Sequence, residues 1–185
     1  SNNLIPRKGR VLISEPFLPG NYFNRSIVFL VAHSSKGSVG FILNKKTEMQ
    51  VPDYLTGFHD FDAEIYVGGP VATDSVYFIH KRADLIPGSI QVLDDIHWGG
   101  DFDEMRRLVN LGIIQTGEIR FFLGYSGWDA GQLEREIKEN SWLVNDVGSS
   151  RVLEELDSGS WVEFVKEVGK RYVIWENFPQ NPSLN

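Results

Sequence analysis

The sequence contains no cysteine. That excludes disulfide staples, thiolate nucleophiles, cysteine-ligated zinc and iron–sulfur clusters, and it fits a cytosolic protein without redox chemistry. A basic run is also missing. Lys45-Lys46, Lys81-Arg82 and Arg106-Arg107 are isolated pairs in a chain of net charge -7. Nucleic-acid affinity rests on Lys and Arg neutralising phosphates, so direct nucleic-acid binding is disfavoured. No apolar run approaches the roughly 20 residues of a membrane-crossing helix, and the opening SNNLIPRKG lacks the apolar core of a signal segment. Two nucleotide signatures are absent as well. No Gly-x4-Gly-Lys-Ser/Thr occurs, and the glycines near 124–131 miss the spacing of Gly-x-Gly-x-x-Gly.

What remains is an ordinary globular composition. The 185 residues are 42% hydrophobic and 23% charged, enough for one domain that buries about 70% of its unfolded surface. We expect an N-terminal extension over 1–9, a single domain over 10–172, and a mobile tail over 173–185 unless Trp175 or Phe178 docks.

Strand patterns dominate the first two-thirds. Residues 10–14 form a first strand. Residues 26–33 (SIVFLVAH) form a near-continuous apolar, β-branched run, which suggests burial on both faces. A turn at 34–37 returns the chain as a strand over 38–43, and Pro52 opens a short helix over 51–55. Further strands are expected at 63–67, 75–80, 89–93, 96–98 and 118–125, with helices at 102–110, 130–140 and from 160 to a stop at Gly169. Asp101 with Glu104 is a capping pattern for the first of these helices. Helices interrupt the strands without alternating with them, so the fold class is α+β.

The stretch GYSGWDAGQL (124–133) tests three readings. A nucleophile elbow needs Gly-x-Ser-x-Gly, but Trp128 stands where the second glycine belongs and no histidine follows Ser126. A phosphate cradle has no lysine. The preferred reading is a strand-to-helix corner: a strand ends at Tyr125, Gly127 allows the turn, and Asp129 with Gln132 caps the next helix. Free amides at that helix start could still attract an anion.

Six pieces in order resemble the YqgE/AlgH family of bacterial proteins. They are Phe23-Asn24-Arg25-Ser26-Ile27-Val28, the hairpin HSSKGSVGFILN ending at Asn44, Gly68-Gly69-Pro70-Val71, His80, Gly124-Tyr125-Ser126-Gly127-Trp128, and Gly131-Gln132-Leu133 with Glu136 and Trp142. Ser126 stands where alanine is expected, which counts against a nucleophilic role. The resemblance implies an α+β fold with a bent, mostly antiparallel sheet forming a partial barrel with flanking helices. It implies a cytoplasmic bacterial protein often labelled a transcriptional regulator. With an acidic chain and no helix-turn-helix pattern, regulation would act through a protein partner.

The candidate ligand site gathers Arg25, Ser26, Asn44, Gly69, His80, Ser126 and Trp128, all at expected strand ends within those motifs. Arg25 can clamp a carboxylate or phosphate, or pair with Glu15 or Glu136. His33 and His80 end apolar strands, where bonding to a carbonyl is the simpler role and a shared cleft rim the sharper one. No cofactor or metal is expected: Asp95 and His97 share a strand face, but spacing supplies no third ligand. Two function classes follow. The first is a non-enzymatic module that binds a protein partner or small anion. The alternative is a hydrolase or nucleotide-handling enzyme centred on His80 with Arg25.

Overall fold

A computed structural model describes residues 4–168. Ten strands form one large, mostly antiparallel sheet that does not close, with five helices against it. The strand order is β10(Trp142–Asn145), β1(Val11–Ser14), β2(Ile27–Ser34), β3(Gly37–Ile42), β9(Ile119–Asp129), β6(Val71–His80), β8(Ile96–Trp98) and β7(Ile90–Leu93). Off this path, β4(Lys46–Gln50) pairs with β5(Glu64–Val67), and β5 runs parallel to β9. The α+β expectation holds, with the bent, open sheet.

β2 shows why the apolar run predicted a doubly buried strand. Ile27, Phe29 and Val31 enter a core shared with Trp161, Phe164 and Val165 of α5(Ser160–Val168). Val28 and Leu30 point the other way, onto Leu133 of α3(Gln132–Lys138) with Trp128 and Trp142. A strand buried on both faces has no polar side to place, so the alternation vanishes from the sequence. A third cluster packs α1(Val51–Tyr54) and α2(Phe102–Asn110) against β5, β6 and β9. Asp101 caps α2 as expected, its carboxylate accepting from the Glu104 amide at 2.9 Å.

The corner expected at Gly127 lies elsewhere. β9 continues through Gly127 to Asp129, because β3 pairs with its second half: Ser38 faces Trp128 and Gly40 faces Ser126. The turn is made at Ala130 and Gly131, and Gly131 takes the N-cap position with φ 76°. Asp129 does not cap; its amide donates to the Gln132 side chain. What the motif's glycines serve is a chain crossing. A Cβ on Gly68 would lie 2.1 Å from the Gly124 carbonyl oxygen, and one on Gly69 would lie 2.3 Å from the Tyr125 carbonyl. Two backbones therefore meet where no side chain fits.

Four elements escaped the sequence reading, among them a single 3-10 turn over Thr116–Glu118. β4 is polar and half-exposed, β10 spans only four residues, and α4(Ser149–Val152) is one turn. The expected Gly169 stop and the 173–185 tail lie outside the described residues.

Candidate functional site

The β2 entry and the end of the β2–β3 hairpin are locked together by one side chain. Asn44 Oδ1 accepts from the Ile27 amide at 2.9 Å, and its Nδ2 donates to the Arg25 carbonyl at 3.0 Å. Asn44 is buried, so its amide replaces strand pairing where the ladder stops. Arg25 takes a left-handed backbone, φ 49°, uncommon for a residue with a Cβ. Its guanidinium stacks 4.6 Å over the Trp161 ring.

Beside this junction lies a cleft of about 500 Å³ whose lining includes Asn24, Arg25, Asn44, Lys45, Lys46 and Asp157. Lys45 is held on both sides: its carbonyl accepts from the Val67 amide at 2.7 Å, and its Nζ donates to the Asn21 carbonyl at 3.2 Å. Among the described residues no carboxylate lies within ion-pair distance of it. Burial pushes its amine down to about 8. Burial also lowers Arg25. The Asn24 Oδ1 is buried and accepts no hydrogen bond among the described residues.

Lys46, next in sequence, is different. It pairs with Glu155 and, at 3.8 Å, with Glu64, and the bond to Glu155 pulls its amine upward. It stands between the first cleft and a second of about 560 Å³, also lined by Tyr66 and Arg120. Arg120 is 8% exposed and serves the fold. It donates to the carbonyls of Val152, Leu153 and Glu154 at the end of α4 and stacks 4.1 Å over Tyr66.

The structure brings Arg25 and Asn44 together on the first cleft and spreads the other candidates. Ser26 lies behind them, wholly buried; its amide donates to Ser14 Oγ and its hydroxyl to the Phe23 carbonyl. Gly69 and Ser126 belong to the chain crossing, where Ser126 Oγ donates to the Gly68 carbonyl at 3.0 Å. Trp128 and Trp142 both donate their indole N–H to Glu136 Oε1, at 3.2 and 3.0 Å. Glu136 is thus engaged by two indoles, and Glu15 accepts from the Phe17 amide.

His80 sits in the sheet half away from Arg25. Its Nδ1 accepts from the Arg82 amide, so Nε2 carries the proton and donates to the Gly99 carbonyl at 3.0 Å. Burial lowers its pKa. His97 stacks on it at 6.2 Å. His33 and His80 share no rim: His33 lies 2.6 Å from Ser38 Oγ through Nδ1 and 3.2 Å from Glu134 through Nε2. Among the described residues no group of three His, Asp or Glu side chains could hold a metal.

Sequence reasoning missed Lys45 and Asn24. Asn24 carried a signal, as it stands inside a quoted motif. Lys45 carried none, because two adjacent lysines look alike until Glu64 and Glu155 select one.

Comparison with known proteins follows the whole chain. Residues 11–173 match a family model described as AlgH-like. A UPF0301 protein of Parabacteroides distasonis is 41% identical over 186 residues, covering 100% of this chain and 94% of that one. A UPF0301 protein of Chlorobium limicola is 41% identical over 179 residues, covering 97% and 96%. Among solved structures, the AlgH protein from Pseudomonas aeruginosa superposes with a TM-score of 0.72 at 21% identity, covering 97% of this chain and 98% of that one. A Corynebacterium diphtheriae protein gives 0.70 at 21% identity, covering 96% and 95%. These two likenesses speak for the fold.

Proposed function

This chain belongs to the AlgH-like family, and on that premise we propose that it is a non-enzymatic module binding a small carboxylate or phosphate in the cleft of Arg25 and Lys45. Any regulatory effect then passes to a protein partner and not directly to DNA. A cytoplasmic setting belongs to the proposal, supported by the cysteine-free sequence and the bacterial relatives.

One observation carries the reading. Arg25 and Lys45 line one concave surface together with Asp157, in a chain whose net charge is -7, and Lys46 beside them is paired with Glu155 and Glu64. A positive pocket on a negative body attracts small anions without attracting nucleic acid as a whole. The junction locked by Asn44 pre-organises the cleft, which lowers the ordering cost of binding.

A hydrolase is the second reading. Ser38, His33 and Glu134 have the composition of a nucleophile–base–acid set. Yet Ser38 is 5% exposed, and its hydroxyl shares with His33 the sheet face under α3. The groove of about 410 Å³ nearby is walled mainly from the opposite face, by Val39, Tyr125 and Gly127. Ser38 itself borders that groove, but at 5% exposure it offers a substrate little of its surface.

Thermal shift tests the proposal. A ligand at a hundredfold excess over its Kd adds about 2.7 kcal/mol, a shift of several degrees. Phosphate or lactate is expected to raise the melting temperature of the parent, and Lys45→Met to lose that rise while remaining folded. A full rise in Lys45→Met, or none in the parent with any small anion, contradicts the reading.

A further inference from the structure

The segment 153–158 links α4 to α5 and walls both clefts. Leu153 and Glu155 line the cleft of Arg120, and Asp157 and Ser158 line that of Arg25 and Lys45. This strap is pinned on either side of Glu155. Before it, Arg120 holds the carbonyls of Val152, Leu153 and Glu154. After it, Leu156 is 4% exposed and sits in the core cluster of Trp161. Between those anchors only the Glu155 side chain is at liberty. It stands 77% exposed and is ion-paired with Lys46.

Lys46 has the matching geometry. Its backbone pairs with Tyr66 in the β4–β5 ladder, so its base is fixed and its flexible stem alone can swing. That stem borders both clefts. Its amine now lies on the acidic side, against Glu155 and, at 3.8 Å, Glu64. An exposed ion pair is weak, because water competes for both charges and two long side chains must be held in one geometry. An anion lodged beside Arg25 and Lys45 offers Lys46 another partner within reach of the same stem. Arg120 has no such freedom, since three carbonyls hold its guanidinium.

We propose that Lys46 is a latch between the clefts. In the empty protein Glu155 keeps its amine from the anion site. When an anion enters beside Arg25 and Lys45, Lys46 swings to it, and Glu155 and Glu64 lose their lysine. The strap carboxylate is thus an internal competitor of the ligand. Filling one cleft makes the rim of the other more acidic, a change that a protein partner can read. This rests on the anion-binding reading and adds its regulation.

The test uses the full chain and inorganic phosphate, with affinity measured by calorimetry. Glu155→Gln removes the competitor and should bind phosphate about two- to fivefold more tightly, the strength of an exposed pair. Glu154→Gln removes the same charge one residue away, from a side chain that makes no ion pair among the described residues, and should bind as the parent does. In a Lys46→Met background Glu155→Gln should add nothing, because the competitor then has no amine to withhold. An equal gain in Glu154→Gln and Glu155→Gln, no gain in either, or a gain that persists without Lys46 overturns the latch and leaves the anion site standing. No binding of phosphate or lactate by the parent or any variant overturns both.

Discussion

Two clefts meet at Lys46, and they hold their positive charges in opposite ways. In the cleft of Arg120 the charges are consumed by the fold. Arg120 satisfies three carbonyls at the end of α4, and Lys46 is held by Glu64 and Glu155. In the cleft of Arg25 and Lys45, the half-exposed lysine donates to a backbone carbonyl and, among the described residues, has no carboxylate within ion-pair distance. Volume does not separate the two, since they are of similar size. A charge whose partners are built in stabilises structure; a charge in a cleft without a carboxylate beside it is available to a ligand.

The largest expected effect belongs to the consumed side. Arg120→Ala leaves three carbonyls without their donor and should cost about 3 kcal/mol, measured by urea denaturation. Lys45→Met should leave stability at pH 7 unchanged or higher, because the partly desolvated charge it removes has no ion pair among the described residues. A loss in Lys45→Met comparable to that in Arg120→Ala would erase the distinction between the clefts.

The next contrast lies in pH. The fold disfavours protonated Lys45, so between about 8 and 10.5 the unfolded chain binds the proton more tightly. Stability therefore gains a rising component across that window, and Lys45→Met should flatten it. Lys46 is shifted upward by Glu155. Its contribution is complete below 10.5 and fades as pH rises beyond, so Lys46→Met should remove a fall at higher pH. Melting curves from pH 7 to 11 on the parent and both variants would show this.

A smaller effect of the same direction as that of Lys45, in an acidic window, is expected at His80. Burial lowers its pKa below 6.5, so the neutral ring stabilises the fold above that value. Its contribution is lost as pH falls from 6.5 toward the lowered folded value. His80→Gln should weaken the acid-side slope of stability and leave phosphate binding intact, since His80 lies off the cleft. Loss of binding in His80→Gln would join two regions that the structure keeps apart.

Local signals were legible in the sequence, and partner-dependent ones were not. The Asp101 cap and the doubly buried β2 depend on residues within a few positions. The misplaced corner at Gly127 shows the limit: β9 stays extended through it because β3, far away in sequence, pairs with it. The site divides likewise. Arg25 and Asn44 stood out at strand ends inside family motifs, and the fold does bring them together. Gly69 and Ser126 stood out equally, but their motif makes a chain crossing. Lys45 was invisible because the distinction between it and Lys46 is drawn by Glu155, 109 residues away.

The most direct measurement is an NMR titration of the Lys45 side-chain Cε and Nζ resonances against pH, with and without phosphate. The account predicts a midpoint near 8 in the free protein that moves upward when phosphate fills the cleft, as a bound anion must favour the protonated amine. A midpoint near 10.5 that phosphate leaves in place would contradict it.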